Sequence, residues 1–121
     1  MRRDPAYLED ILEAADGIAG IVRDLNLETL MGEAVLQAAA LHYLAVIGEA
    51  ANRLSSELRE RHADVPWPDI VSQRNRVVHD YFGLDWNLLR KTLVEDVPHL
   101  RSRVARILRD EMADDQEGYP A

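Results

Sequence analysis

An arginine, a histidine and a tyrosine share one short stretch, Ser72-Gln73-Arg74-Asn75-Arg76-Val77-Val78-His79-Asp80-Tyr81-Phe82-Gly83. Arg74 carries a planar fork of donors that suits a phosphate or a carboxylate. His79 is an imidazole, which can give or take a proton. Together they suit work on a phosphodiester. Arg74 would neutralise the phosphate, and His79 would move protons at an attacking 2′-hydroxyl or a leaving oxygen. Such chemistry needs no metal. His42, His62, His79 and His99 are widely spaced and form no HExxH-type pair, and GxxxxGK, GxSxG and GxGxxG loops are absent. No metal ligand set and no cofactor is expected. Each residue also has a plainer reading. Arg74 could pair with Glu49 or another carboxylate across the fold. His79 could satisfy carbonyls at a helix C-terminus. Tyr81 could be a core aromatic.

Helical geometry sharpens the question. Trp67, Ile70, Val71, Val77, Val78 and Tyr81 form one apolar stripe on a helix opened by Pro68 and ended by Gly83. Arg74 falls in the middle of that stripe, where burying it unpaired would cost several kcal/mol. His79 lies about 140° around the axis from Arg74 and about 7.5 Å further along it. On an ideal helix the two side chains diverge. They converge if the helix frays near His79, or if a second copy completes the site about a two-fold axis.

The remaining elements are helical too. Asp4-Pro5 opens a helix of about 20 residues, with Asp4 as its cap, whose apolar stripe runs through Leu8, Ile11, Leu12, Ala15, Ile18, Ala19, Val22 and Leu25. Residues 26–32 read as a connection with a short turn at 27–31. Residues 33–54 form the most apolar helix. One face carries Leu36, Ala40, Tyr43, Leu44, Ile47, Ala51 and Leu54, and a second side carries Val35, Ala39 and Val46 together with His42, Glu49 and Arg53. Apolar on more than one side, it is expected to be a central helix or a subunit interface. Ser55 or Ser56 caps a short helix through Arg61, and Asp85 caps the last one. That last helix keeps its register from Trp86 to Leu108 and is expected to kink or split near Pro98. The pattern predicts an all-α, up-and-down bundle of four or five helices over residues 1–110. Residues 111–121 are expected to be an acidic, mobile tail.

Composition bounds the rest. The chain has 121 residues, no cysteine and 47% hydrophobic content, enough for one packed domain without disulfides. The longest apolar-rich run is interrupted by His42 and Glu49 and is too short to span a bilayer, and the N-terminus lacks the apolar core of a signal peptide. A soluble cytoplasmic protein with no membrane partner is expected. Formal net charge is −8. Residues 67–109, however, hold 8 basic and 5 acidic side chains, so the half carrying the motif is locally basic.

Arg74-Asn75-Arg76-Val77-Val78-His79-Asp80-Tyr81 matches the R-x4-H-x-Y signature of HepT-like toxins in the HEPN superfamily. The resemblance covers about residues 4–108. It includes the opening at Asp4-Pro5, the central run Val46-Ile47-Gly48-Glu49-Ala50-Ala51-Asn52-Arg53-Leu54, the run Val65-Pro66-Trp67, the exit Asp80-Tyr81-Phe82-Gly83 and Glu95-Asp96-Val97-Pro98. The chain departs from the family at Ala34 to Leu41, where a charged stretch is common and Gln37 is the one polar residue. The resemblance implies a helical bundle that dimerises through the motif helix and acts as a metal-independent endoribonuclease on RNA. It implies the toxin half of a toxin–antitoxin pair. The antitoxin would be a minimal nucleotidyltransferase that silences the toxin by adding AMP to the motif tyrosine, here Tyr81. Arg74 and His79 would be catalytic and Asn75 a polar helper, with Arg76, Asp80 and Glu49 as candidate supports. The alternative is a non-catalytic nucleotide- or partner-binding subunit of a nucleotidyltransferase complex.

Overall fold

The computed structural model describes residues 3–23 and 27–117, and among these there is no strand. Three long helices, α1 (Asp4–Val22), α3 (Ala34–Arg53) and α7 (Val97–Glu117), pack with the motif helix α5 (Trp67–His79). Shorter helices α2 (Leu27–Gly32), α4 (Ser56–Arg61) and α6 (Trp86–Lys91) connect them. α1 lies between α7 and α3, and α3 lies between α1 and α5. The expected all-α bundle is therefore present, with α1 and α3 as its two inner helices.

α3 is long and apolar enough, by length and composition, to cross a membrane. Its apolar residues serve the bundle instead: Ala40, Leu41, Leu44, Ile47, Ala50 and Ala51 are buried between neighbouring helices. Leu8, Ile11, Ala14, Ala15 and Ile18 of α1 face them, and Leu89, Leu93, Val97, Val104 and Ile107 close the core from the C-terminal half. Only the N-terminal end of α3 leaves a large apolar side chain in solvent, with Val35 at 78% exposure.

Polar ties fix the ends. α1 begins at Asp4, but Asp4 does not cap it; Arg3 is the N-cap residue and makes no side-chain bond there. The Asp4 carboxylate instead reaches the α3–α4 junction. It accepts the Ser55 backbone N–H at 2.8 Å and the Ser55 hydroxyl at 2.6 Å. Ser55 then caps α4 by accepting from the Leu58 N–H. Asp85 caps α6 as expected. Glu111 of α7 accepts from Arg61 at 2.8 Å and lies 2.9 Å from His62 Nε2. Burial alone would raise the Glu111 pKa, but these two partners hold it below the usual carboxylate value.

The C-terminal half shows how proline is accommodated. Pro98 has no N–H, and its ring crowds the carbonyl four residues back. The chain widens into a π turn over Thr92–Asp96 just before it, and the Val97 N–H donates to the Thr92 carbonyl. The expected split near Val94–Val97 takes this form. Beyond it α7 runs without a break to Glu117, so the backbone of residues 111–117 of the expected tail is helical. Residues 118–121 of that tail and Leu25 of the first stripe lie outside the described residues.

Candidate functional site

α5 starts at Trp67, whose indole N–H donates to the His62 carbonyl at 3.1 Å. It ends at His79, four residues before Gly83, and Tyr81–Gly83 form a separate 3₁₀ turn. This earlier ending changes the fate of the stripe. Trp67 and Val77 are buried, and Ile70 and Val71 are partly buried against the core. Val78 and Tyr81 are 48% and 49% exposed. Tyr81 is thus not the core aromatic that continuous helical register would make it.

Arg74 sits in the stripe because its stem does the packing. α3 carries Gly48 at the crossing with α5, and Arg74 Cβ occupies the space where a side chain on residue 48 would stand. The aliphatic stem covers the glycine, and the guanidinium extends past it. Nη1 donates to Asn75 Oδ1 at 2.9 Å, and Nη2 lies 3.4 Å from Glu49 Oε2. Glu49 also accepts from Arg53 Nε at 3.0 Å. One of the five guanidinium donors is placed by the Asn75 hydrogen bond and a second nitrogen lies at ion-pair distance from Glu49, which orients the fork. The Arg74 side chain keeps 31% of its surface exposed and that of Glu49 42%. The two readings of Arg74 are therefore both realised: it pairs with Glu49, and it faces solvent.

The solvent it faces is a groove of about 500 Å³ between α1, α3 and α5. Tyr7 and Asp10 come from α1; His42, Val46, Glu49 and Arg53 from α3; Arg74 and Val78 from α5. The shared face of His42, Glu49 and Arg53 is legible as helical spacing on α3. Tyr7 and Asp10 carry no such signal, and only the packing of α1 against α3 brings them in. Gly48 was the missed clue: a glycine inside a long helix costs about 1 kcal/mol relative to alanine and marks a close approach.

His79 is exposed on the last turn of α5, away from the groove lining. Asp80 is the C-cap residue, and its N–H donates to the Arg76 carbonyl at 2.9 Å. Arg76 points elsewhere. It lines a second groove, of about 510 Å³, with Asp69, Asp96 and His99 on the α5–α7 side. One chain therefore brings Arg74, Asn75 and Glu49 together and leaves His79, Asp80 and Tyr81 around the end of the helix. No group of three or more acidic or histidine side chains with metal-binding geometry occurs among the described residues.

The model of a family described as ribonuclease HepT-like matches residues 11–107. The chain is 33% identical over 111 residues to a Caldanaerobacter subterraneus protein named "Putative RNase TTE0752", covering 92% of this chain and 99% of that one. It is 35% identical over 99 residues to "Putative RNase MJ1380" of Methanocaldococcus jannaschii, covering 82% and 91%. It is 33% identical over 101 residues to "Probable ribonuclease HepT" of Thermococcus cleftensis, covering 84% and 92%. No solved structure matches the chain.

Proposed function

We infer, from the premise that this chain belongs to the ribonuclease HepT-like family, that it is an endoribonuclease whose cleft is completed by a second copy of itself. The observation that carries this reading is the fixed fork of Arg74 at the wall of an open groove. A phosphate in that groove would meet the remaining guanidinium donors. The 2′-hydroxyl of the same nucleotide would attack phosphorus, the bond to the 5′-oxygen would break, and His79 would transfer a proton to or from one of these oxygens. No step requires a metal. Because Arg74 and His79 diverge within one chain, the histidine at a given phosphate would come from the two-fold partner.

Mixing two inactive variants tests this directly. In a dimer of Arg74→Ala with His79→Ala, one of the two composite sites keeps both residues. Half of randomly mixed dimers are of that kind, so about a quarter of parental cleavage should return. If each variant alone is inactive and the mixture stays inactive, the site is not shared between chains. If both single variants cleave normally, the residues are not catalytic. If the parent itself cuts no RNA, the non-catalytic nucleotide-binding reading, which the separation of Arg74 from His79 favours, takes its place.

The same reading makes this protein the toxin of a two-gene system, silenced at Tyr81 by a minimal nucleotidyltransferase. The Tyr81 phenol is half exposed on a turn two residues beyond His79. Its oxygen would attack the α-phosphate of ATP, forming the Tyr–O–P bond and releasing diphosphate. Each AMP adds bulk and negative charge beside the cleft, which blocks and repels RNA. Co-expression with the transferase should add the mass of one or more AMP units, and Tyr81→Phe should abolish that gain. A Tyr81→Phe protein that still gains AMP would place the modification elsewhere.

A further inference from the structure

Phe82 is 99% exposed, more than any other large apolar residue among those described. It is the only phenylalanine in the chain. It stands at the middle of the 3₁₀ turn that follows His79 and Asp80. The turn is tight. The Gly83 N–H donates to the Asp80 carbonyl at 3.1 Å, and the Asp80 carboxylate lies over the Gly83 α-carbon, where a Cβ would come 2.5 Å from Oδ2. A side chain at residue 83 would make the exposed Asp80 carboxylate swing aside. The Phe82 ring meets Tyr81 edge to face, with centroids 5.5 Å apart and planes at 78°. At 99% exposure its flat faces are open.

A phenylalanine held wholly in water forgoes the burial that normally stabilises an aromatic side chain. Its setting says what would cover it. Asp80 and Gly83 flank the ring pair in sequence, so the turn presents two adjacent rings, Phe82 fully and Tyr81 half exposed. Three residues before it, the exposed His79 ends α5, while Arg74 stands further back on the wall of the first groove. A groove that takes the phosphates beside an open aromatic face for the base is the way single-stranded nucleic acids are held.

We propose that Phe82 stacks on a base of single-stranded RNA beside the phosphate engaged by Arg74 and His79. This rests on the ribonuclease reading above. Phe82 is a positioning residue: it fixes the strand and does not touch the reacting atoms. Stacking tolerates any base, so the ring raises affinity without dictating sequence.

A short 2′-O-methyl RNA lacks the attacking hydroxyl and can be bound without being cut. Carrying 2-aminopurine, it reports stacking by fluorescence quenching. Phe82→Ala and Phe82→Leu should each weaken its binding by about 5- to 150-fold and lose the quench. Phe82→Trp should keep both. A leucine variant with parental affinity would overturn the proposal, because an apolar contact would then suffice. So would a Phe82→Ala protein that loses mass in sedimentation while the quench survives, because the ring would then join protein copies. Binding of free AMP that depends on Phe82, with RNA binding that does not, would assign the ring to a mononucleotide and end the proposal. Arg74→Ala, assayed on unmodified RNA, reports separately on cleavage. If it cuts at the parental rate, Arg74 is not catalytic; if the parent itself cuts no RNA while Phe82→Ala loses RNA affinity, the ribonuclease reading fails and the stacking stands.

Discussion

Arg74→Lys should lower RNA cleavage by about 100-fold or more, nearly as far as Arg74→Ala, although it keeps the charge. The reason lies in how the guanidinium is held. Nη1 is fixed by Asn75 at 2.9 Å and Nη2 faces Glu49 at 3.4 Å, so the plane of the fork is set before any substrate arrives. A lysine ammonium is a single point on a flexible stem. It could satisfy Glu49 or a phosphate, but it cannot present two parallel donors to a phosphate while a third is engaged. Removing one preorganised donor from a site of this kind costs about 100- to 1,000-fold in rate. Initial cleavage rates measure the effect, and circular dichroism checks that the helices persist. A lysine variant that cuts at the parental rate would reduce Arg74 to a source of positive potential.

The same geometry explains what could and could not be read from residue order. The bundle was legible because α1, α3 and α7 carry long 3.6-period stripes, and burial follows those stripes at Leu8, Ile11, Leu44, Ile47, Val104 and Ile107. The Ser55 and Asp85 caps were legible because capping is local. Asp4 was misread for a related reason. Its position before Pro5 suits a cap, but its carboxylate is drawn to Ser55, whose backbone and hydroxyl offer two donors at once. Nothing in local spacing shows a partner so far along the chain. The end of α5 was misplaced because Gly83 is the obvious terminator, whereas the helix stops at His79 and yields to a 3₁₀ turn. That difference of four residues moves Tyr81 out of the core and Phe82 into solvent. Arg74 was the hardest to place. Periodicity marked it as an anomaly, and only the crossing with Gly48 shows that the anomaly is a packing solution.

That crossing leads to an effect nearly as large as removal of Arg74. An added methyl at residue 48 would fall onto Arg74 Cβ, with the Ile70 carbonyl oxygen 3.2 Å away. Neither is the free end of a flexible side chain, so α5 would have to move off α3. In an exposed helix interior Gly→Ala gains about 1 kcal/mol through propensity. Here overpacking costs about 1–3 kcal/mol, and the clash against near-backbone atoms places this site at the upper end. Gly48→Ala should therefore lower the melting temperature by several degrees. Gly20→Ala supplies the contrast. Nothing lies within 4 Å of a Cβ built at Gly20, on the same footing of a glycine inside a helix, so that variant should melt slightly higher than the parent. The catalytic consequence should exceed the thermal one. Shifting α5 by about 1 Å displaces the guanidinium from Glu49 of α3 and carries Asn75 and His79 with it, and a misplacement of that size can cost about 100-fold in rate. Cleavage by Gly48→Ala, measured well below its melting temperature, should fall accordingly while Gly20→Ala stays at the parental rate. If Gly48→Ala melts no lower than the parent and cuts as fast, the close approach of α3 and α5 is not what places Arg74.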